Sequence, residues 1–327
     1  MMKHCVFYCW SLFLIGLILR LSAADTDQLI EQLESVSEAD TRIYQLKTSQ
    51  GRGMDCLKVF QMPGSAHDGI YYGLYHRLEK GVFHVRLAKS NDLQIWHDLI
   101  VLDEHASQPT IYVGDDGRLL VAYEKDAPNS CWIRLRSYGD IVQFQEGKFS
   151  REYDVHRSLA PTAEGTPSFE SVTMGQGGVD DSEIRLRFHY FKNVRVDQLA
   201  FGTLKDFKSW KSESSDKINQ VFIENGWQGN LGDRDRFSWN DQAFYLQETQ
   251  GKRGDWSSWR INLCDAHGMP IRTLQIQTDR QSTSFANPNA TWIMDALHQR
   301  QLVVTLFLPT EGNHSSEAGT LLYVVRP

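Results

Sequence analysis

Cysteine is scarce in this sequence. Only five Cys occur in 327 residues, and two of them, Cys5 and Cys9, lie in an N-terminal apolar run. The other three, Cys56, Cys131 and Cys264, allow at most one disulfide bond, so the fold does not depend on disulfides. The metal-binding spacings CxxC and HExxH are missing, which argues against a structural zinc site or a zincin. We therefore expect no cofactor, with a central structural metal ion left open.

Clusters of positive charge are missing as well. The chain has 34 Lys and Arg against 41 Asp and Glu, and its longest basic cluster is the loose set Lys205, Lys208 and Lys211. Nucleic-acid binding depends on clustered Lys and Arg that displace counterions from phosphates, so we expect no nucleic-acid partner. The chain also lacks a P-loop, a GxGxxG motif and a GxSxG nucleophile elbow.

A single long apolar run is present, at the N-terminus. It extends from Cys5 to Leu19, follows Lys3, and ends in small residues up to Ala24. About fifteen apolar residues are few for a membrane span, and the layout is typical of a secretory signal. We predict a signal peptide over residues 1–24 and a secreted or periplasmic protein without a transmembrane segment after cleavage. An uncleaved membrane anchor is the alternative.

The rest of the chain reads as one helix followed by many strands. Residues 25–40 place Leu29, Ile30 and Leu33 on one face of a helix. After them, about a dozen short apolar or alternating runs lie between clusters of Gly, Asp and Asn, with no helical pattern between them. This pattern is typical of an all-β sandwich, barrel or propeller.

Repeats along the chain favour the propeller. Five similar segments align on anchor residues that are 53, 58, 67 and 54 positions apart: Asp55, Gln108, Thr166, Asp233 and Asn287. A period of about 40 to 60 residues is characteristic of propeller blades. The segments LAKSNDLQIW and LAFGTLKDFKSW support this register, and we expect their tryptophans, Trp96 and Trp210, to pack between neighbouring sheets.

We therefore predict an all-β, five-bladed propeller of four-stranded antiparallel blades. Residues 25–50 form a helical lead-in and a closing strand, and residues 51–327 form the propeller. The segment TRIYQLKT at residues 41–48 would pair with the terminal TLLYVVRP, so that N- and C-terminal strands close the ring. Two β-sandwiches are the alternative. We expect a monomer.

Several segments resemble a known family. A strand opened by a polar residue and Pro, a DG turn, a YYxxY or LxVAYE strand and an SxDLxxW segment are similar to the propellers of arabinanases, xylosidases and invertases, chiefly glycoside hydrolase family 43. The resemblance covers about residues 52–327. It implies a glycosidase that acts on a poly- or oligosaccharide. A sialidase-like propeller is the alternative, because SNDLQIW also resembles an Asp-box, although it lacks the usual Gly.

Glycoside hydrolysis needs a carboxylic acid and a carboxylate. The resemblance implies an Asp base in the first blade, a second Asp in the second blade and a Glu acid in the third. Glu164, in AEGTPSFESV, matches the acid, with Glu170 as an alternative on the same strand. Asp55 is the candidate base or a substrate-binding residue.

The second-blade position departs from the family pattern. Gln108 stands there before Pro109, and Thr166 and Asn287 hold the equivalent positions of the third and fifth blades. A glutamine cannot supply negative charge, although it can hydrogen-bond a sugar hydroxyl. We therefore keep a second hypothesis, a non-catalytic glycan-binding propeller with Gln108 and Asn287 among its contacts.

The fourth blade offers replacement carboxylates. Asp233, Arg234, Asp235 and Arg236 alternate at the start of a strand, so one sign of charge faces the funnel. If the aspartates face the funnel, one of them, chiefly Asp235, would supply the catalytic partner of Glu164. If instead the arginines face the funnel, the site would suit an acidic sugar, since guanidinium binds carboxylate or sulfate bidentately. A ladder that ties neighbouring blades is the structural alternative.

Three further groups recur or stand out. Glu124 and Glu248 end equivalent strands, which favours an architectural role for both. His76 and His189 also occupy equivalent strands and are expected to be packing residues or ligands of a central ion. Trp227, in a loop rich in Gly and Asn, is a candidate for stacking on a sugar ring.

Overall fold

The computed structural model describes residues 25–64, 69–193 and 195–326. The predicted signal peptide, residues 1–24, lies outside the described residues. A helix over residues 25–34 (α1) opens the described chain, and the short 3-10 helix Val36–Glu38 follows it. Within the described ranges, no helix is long and apolar enough to cross a membrane.

The described residues form five antiparallel sheets of four strands each, which confirms the predicted five-bladed propeller. The first blade contains β2 (Asp55–Phe60), β3 (Tyr71–Glu79), β4 (Val82–Ser90) and β5 (His97–Glu104). The second contains β6 (Ala106–Val113), β7 (Leu119–Ala127), β8 (Ser130–Tyr138) and β9 (Arg151–Asp154). The third contains β10 (Glu164–Gly175), β11 (Gly178–Lys192), β12 (Val196–Lys205) and β13 (Ser209–Ser214).

The last two blades and two short helices complete the ring. The fourth blade contains β14 (Leu231–Trp239), β15 (Gln242–Gln250), β16 (Trp259–Cys264) and β17 (Pro270–Thr273). The fifth contains β18 (Ala286–Met294), β19 (Arg300–Leu308), β20 (Gly319–Val325) and, from the other end of the chain, β1 (Arg42–Ile43). Helix α2 (Ile141–Gln145) precedes β9, α3 (Asp216–Glu224) precedes β14, and a 3-10 turn Trp256–Ser258 precedes β16.

The two chain ends close the ring in one sheet, as predicted. Strand β1 pairs antiparallel with β20, with Ile43 opposite Leu322. The hydroxyl of Tyr323 in β20 donates to the backbone oxygen of Leu33 in α1 at 3.0 Å. Because Leu29 and Leu33 are fully buried against the fourth and fifth blades, the helical lead-in is part of the propeller core.

Apolar side chains fill the wedges between blades, because a single four-stranded sheet cannot bury both of its faces alone. Four of these interfaces hold clusters of 13 to 21 buried apolar residues. Trp96 is fully buried between the fifth and first blades, and Trp210 packs between the second and third, as predicted. Gly73 lies against Trp96, where a Cβ atom would come within 2.7 Å of the indole ring.

The interface between the third and fourth blades is different. Its cluster of buried apolar residues has only five described members: Leu199, Phe222, Leu231, Tyr245 and Cys264. Polar and charged side chains line an open space beside this cluster, so one wedge of the ring lacks most of the apolar filling that the other four have.

We expect Leu33→Ala to lower the free energy of unfolding by about 2 to 4 kcal/mol, because it removes a fully buried side chain from the largest cluster. Denaturant titration of the chain from residue 25 measures the change. Gln28→Ala, on the exposed face of α1, is the control and should have little effect. Equal stability of the two variants would show that α1 does not contribute to the core.

Candidate functional site

The inner strands of the five blades, β2, β6, β10, β14 and β18, contact one another around the axis. Each begins with a bulge, where the pairing with the second strand of its blade shifts register. One residue from each bulge forms what we call the bulge ring: Cys56, Gln108, Thr166 and Asn287, each the first residue of its bulge, and Asp233, the second residue of the bulge in the fourth blade. All but Asp233 have a left-handed backbone, with φ between 46° and 53°. The anchor predicted for the first blade, Asp55, is therefore one residue too early, because Cys56 occupies the bulge.

Side chains of the second strands hold these bulges. His76 Nδ1 accepts the backbone N–H of Gln108 at 3.0 Å, and Glu124 Oε2 accepts that of Thr166 at 3.2 Å. In each case the acceptor belongs to the preceding blade. A left-handed conformation costs a non-glycine residue about 1 to 2 kcal/mol, so these cross-blade hydrogen bonds stabilise a backbone that would otherwise be unfavourable.

Glu248 binds two inner strands at once. Its Oε1 accepts the N–H of Asp233 at 2.6 Å, and its Oε2 accepts the N–H of Asn287, in the next blade, at 2.5 Å. Gly232 makes room for this carboxylate, because a Cβ atom there would lie 2.0 Å from Glu248 Oε1. Gly165 does the same for Glu124, with a corresponding distance of 1.9 Å. The shared architectural role predicted for the two glutamates agrees with these contacts.

Three contacts cross the axis. The thiol of Cys56 donates to Asp233 Oδ2 at 3.5 Å, and Asn287 Nδ2 donates to Gln108 Oε1 at 2.8 Å. Further along the strands, the ammonium group of Lys58 forms a buried ion pair with Asp235. The axis is therefore lined by polar side chains that already bind one another.

Two carboxyl groups at the axis perturb each other. Asp233 and Glu248 are each only 5% exposed. Burial raises the pKa of Asp233, and the neighbouring Glu248 carboxylate raises it further. Burial also raises the pKa of Glu248, whereas its two backbone N–H donors oppose the shift. The pair therefore keeps a proton at pH values at which isolated carboxyl groups are already ionised.

The buried Arg234 guanidinium opposes the rise in the pKa of both carboxyl groups, whereas Cys56 and His76 add no charge to the pair. Burial raises the pKa of the Cys56 thiol well above its usual value, so the thiol stays neutral. Burial lowers the pKa of His76 to about 4, so its imidazole is neutral and accepts through Nδ1. Asp55, next to Cys56, is half-buried, and burial raises its pKa to about 6 against opposing effects of Thr320 and Arg77.

Glu164 begins its strand where the sequence predicts, and the preceding loop binds its carboxylate. The residue is fully buried. Its Oε1 accepts the backbone N–H groups of Ser158, Leu159 and Ala160 at 2.5 to 3.0 Å. The carboxylate therefore orders the loop before β10, while its Oε2 is buried without a hydrogen-bond partner among the described residues. Its role as an acid stays a prediction.

In the fourth blade the aspartates face the axis. Asp233 and Asp235 both contact first-blade residues, and Asp235 Oδ2 also accepts the N–H of Ala290 at 2.9 Å. Asp235 is therefore bound to Lys58 and Ala290, and its catalytic role stays a prediction. Arg234 is buried and donates to the backbone oxygen of Gly232, and Arg236 is exposed. These contacts favour the alternative in which the aspartates face the axis. Burial lowers the pKa of Arg234 to about 10.

Two predicted ligand contacts lie away from the axis. Glu170 binds Arg187 at 3.1 Å and lines a groove between the third and fourth blades. Trp227 packs against the small apolar cluster of the same interface. The structure thus brings together Gln108, Asn287 and Asp233 and separates Glu170 and Trp227 from them.

Sequence reasoning missed Cys56 and Lys58 and gave Glu248 no part in the site. The repeat spacing was a usable signal for Glu248, because it follows Asp233 by almost the same interval as Glu124 follows Gln108. The three described cysteines are all free. Among the described residues, no group of three or more His, Cys, Asp or Glu is arranged to hold a metal ion.

Comparisons with known proteins agree with this architecture. No protein-family model and no curated protein matches the sequence. Solved structures do match. A glycoside hydrolase superposes with a TM-score of 0.59 at 12% identity, over 92% of this chain and 94% of the other. A thermostable family-43 glycoside hydrolase gives a TM-score of 0.54 at 12% identity, over 86% and 92%.

An arabinanase from Cellvibrio cellulosa, solved with arabinohexaose, gives a TM-score of 0.51 at 10% identity, over 83% of this chain and 91% of the other. This chain has the family-43 propeller fold. The predicted resemblance is therefore confirmed at the level of the fold, and identities this low carry no residue roles across.

We expect Lys58→Met to lower the free energy of unfolding by about 3 to 5 kcal/mol, because it leaves Asp235 as an uncompensated buried charge. The double variant with Asp235→Leu should regain most of the loss. Arg326→Met, which breaks an exposed ion pair with Asp40, is the control, with an expected change of about 0.5 kcal/mol or less. A single variant as stable as the control would contradict a buried pair.

Proposed function

We propose that this protein is a secreted glycoside hydrolase that acts on a poly- or oligosaccharide through Asp233 and Glu248. One observation carries the proposal. Of the five described bulge-ring positions around the axis, only that of the fourth blade holds an acid, and the Glu248 carboxylate lies directly beside it. Glycosidases need one protonated and one ionised carboxyl group, and the Glu248 carboxylate raises the pKa of Asp233 so that Asp233 can keep a proton.

The hydrogen bonds assign the proton within the pair. Both oxygens of Glu248 accept backbone N–H groups, which stabilises its ionised form. In Asp233, Oδ1 accepts the N–H of Arg234 at 2.7 Å, whereas Oδ2 faces the Cys56 thiol at the axis. We infer that Asp233 carries the proton on Oδ2 and acts as the general acid, with Glu248 as the charged partner.

Groups beside the pair suit a sugar. The amides of Gln108 and Asn287 bind each other and can exchange that bond for bonds to hydroxyl groups, since each amide has both donors and an acceptor. Asp55 is a third, half-buried carboxyl group near this ring. Arabinose-containing oligosaccharides are the first substrates to test, because a structurally similar arabinanase was solved with arabinohexaose. Secretion rests on the N-terminal apolar run of the sequence.

A non-catalytic glycan-binding propeller is the second candidate. Glu164 is sequestered, Asp235 is ion-paired, and three positions of the bulge ring carry Gln, Thr and Asn. A funnel with these groups can bind hydroxyl groups even if Asp233 and Glu248 only support the backbone.

We expect Asp233→Asn and Glu248→Gln each to lower kcat on a cleaved oligosaccharide by at least about 100-fold, since each removes a proton-transfer or charge-stabilising group. A hydrolysis screen of neutral plant oligosaccharides with the secreted protein identifies the substrate. Asp116→Asn, on an exposed turn between β6 and β7, is the matched control and should keep full activity.

The outcomes separate the two candidates. If the Asp233→Asn variant still hydrolyses the substrate, Asp233 is not the general acid. Glycan binding without hydrolysis in the unaltered protein would favour the binding propeller. Circular dichroism of each variant shows whether the fold is kept, and Glu248→Asp provides a second test if Glu248→Gln does not fold.

A further inference from the structure

The interface between the third and fourth blades contains a large open groove. Its volume is about 860 Å³, within the usual range of about 300 to 1,000 Å³ for small-molecule sites. The other four interfaces are filled by 13 to 21 buried apolar side chains, against five described here. The groove therefore exists because one of five equivalent wedges lacks its apolar filling.

A row of side chains from the third blade forms one wall of the groove. Arg187 in β11 pairs with Phe201 in β12, which pairs with Glu213 in β13. Leu199 belongs to the apolar cluster that faces the fourth blade, and Phe201, two residues later on the same strand, lies on the same face. Phe201 is 38% exposed, so its ring is open to solvent within the groove.

Arg187 and Glu170 form a fixed polar pair at the inner end of this row. Arg187 Nη2 donates to Glu170 Oε1 at 3.1 Å and to the backbone oxygen of His267 at 3.4 Å. The guanidinium carbon also lies 4.3 Å from the centre of the Tyr245 ring. With three such contacts, the pair presents hydrogen-bond donors and acceptors in a preorganised position beside an exposed aromatic ring.

The charges that line the groove are balanced. Its basic residues are Arg185, Arg187 and Lys217, and its acidic residues are Glu170, Glu213 and Asp216. The acidic residues would repel a polyanion, and the basic residues would repel a polycation. A neutral, hydroxyl-rich ligand can instead donate to the carboxylates and accept from the basic groups, and its apolar ring face can pack on Phe201.

We propose that this groove is a second carbohydrate-binding site, separate from the axis, for a neutral oligosaccharide. The inference rests on the proposed function for its substrate class, but it places the ligand on a different part of the molecule. Such a site would hold a polysaccharide on the side of the propeller while another part of it reaches the funnel.

Calorimetry with arabinohexaose and xylohexaose tests the proposal. All measurements use the Asp233→Asn background, so that the probe is not cleaved. We expect Phe201→Ala to weaken binding of the neutral probe in the groove about tenfold, from loss of the aromatic platform. Leu297→Ala removes an apolar side chain that is 76% exposed outside the groove, and it should bind as tightly as the background protein.

A second variant keeps the test decisive if Phe201→Ala misfolds. Glu170→Gln retains the shape of its side chain but removes the charge that fixes Arg187, and it should also weaken binding. Affinity unchanged in both groove variants, absence of binding by either neutral probe, or binding only of trigalacturonate would each overturn the proposal.

The experiments distinguish failure of the hydrolase proposal from failure of the proposed second site. If the unaltered protein hydrolyses oligosaccharides but the groove variants bind normally, only the second site is wrong. If no hydrolysis occurs but Phe201→Ala weakens binding of a neutral probe, only the hydrolase proposal is wrong.

Discussion

One carboxylate, that of Glu248, binds the bulges near the start of two inner strands. Each of its oxygens accepts a backbone N–H, one from Asp233 and one from Asn287 in the next blade. His76 and Glu124 make the corresponding contacts between other blades. Because the bulges are left-handed in four of the five blades, the narrow end of the funnel depends on side chains reaching across blade boundaries. The glycines at Gly165 and Gly232 are needed for that reach.

The same contacts create the chemistry of the site. The two backbone N–H donors favour the ionised form of Glu248 against the effect of burial. Its carboxylate lies beside the buried Asp233, whose pKa burial and Glu248 raise and the adjacent Arg234 lowers. Asp233 is thereby favoured in its protonated form. The architectural role of Glu248 and the acidity of Asp233 are thus two consequences of one arrangement.

The fold could be predicted from the sequence because the repeats determine the number of blades and their strands. Blade spacing, strand alternation and the two segments ending in Trp96 and Trp210 are local or periodic features, and they predicted five blades and the closure by terminal strands. The site was harder, because a bulge adds a residue and changes which face of the strand the following side chains occupy. Alternation from Thr166 placed Glu170 at the funnel, yet register shifts along β10 send it to the groove.

Contacts between residues far apart in the sequence also could not be predicted from sequence patterns. Lys58 and Asp235 are 177 positions apart, and so are Cys56 and Asp233. Glu164 occupied the predicted place at a strand start, but three backbone N–H groups of the preceding loop determine where its carboxylate points. A single sequence shows neither the loop conformation nor the pairing across the axis.

The proton that Asp233 carries beside the Glu248 carboxylate is the central claim, and infrared difference spectroscopy of the ligand-free protein measures it most directly. At neutral pH, the unaltered protein should show the carbonyl band of a protonated carboxylic acid, and Asp233→Asn should lose that band. A spectrum with only ionised carboxylates at neutral pH, or a band that persists in Asp233→Asn, would contradict the account.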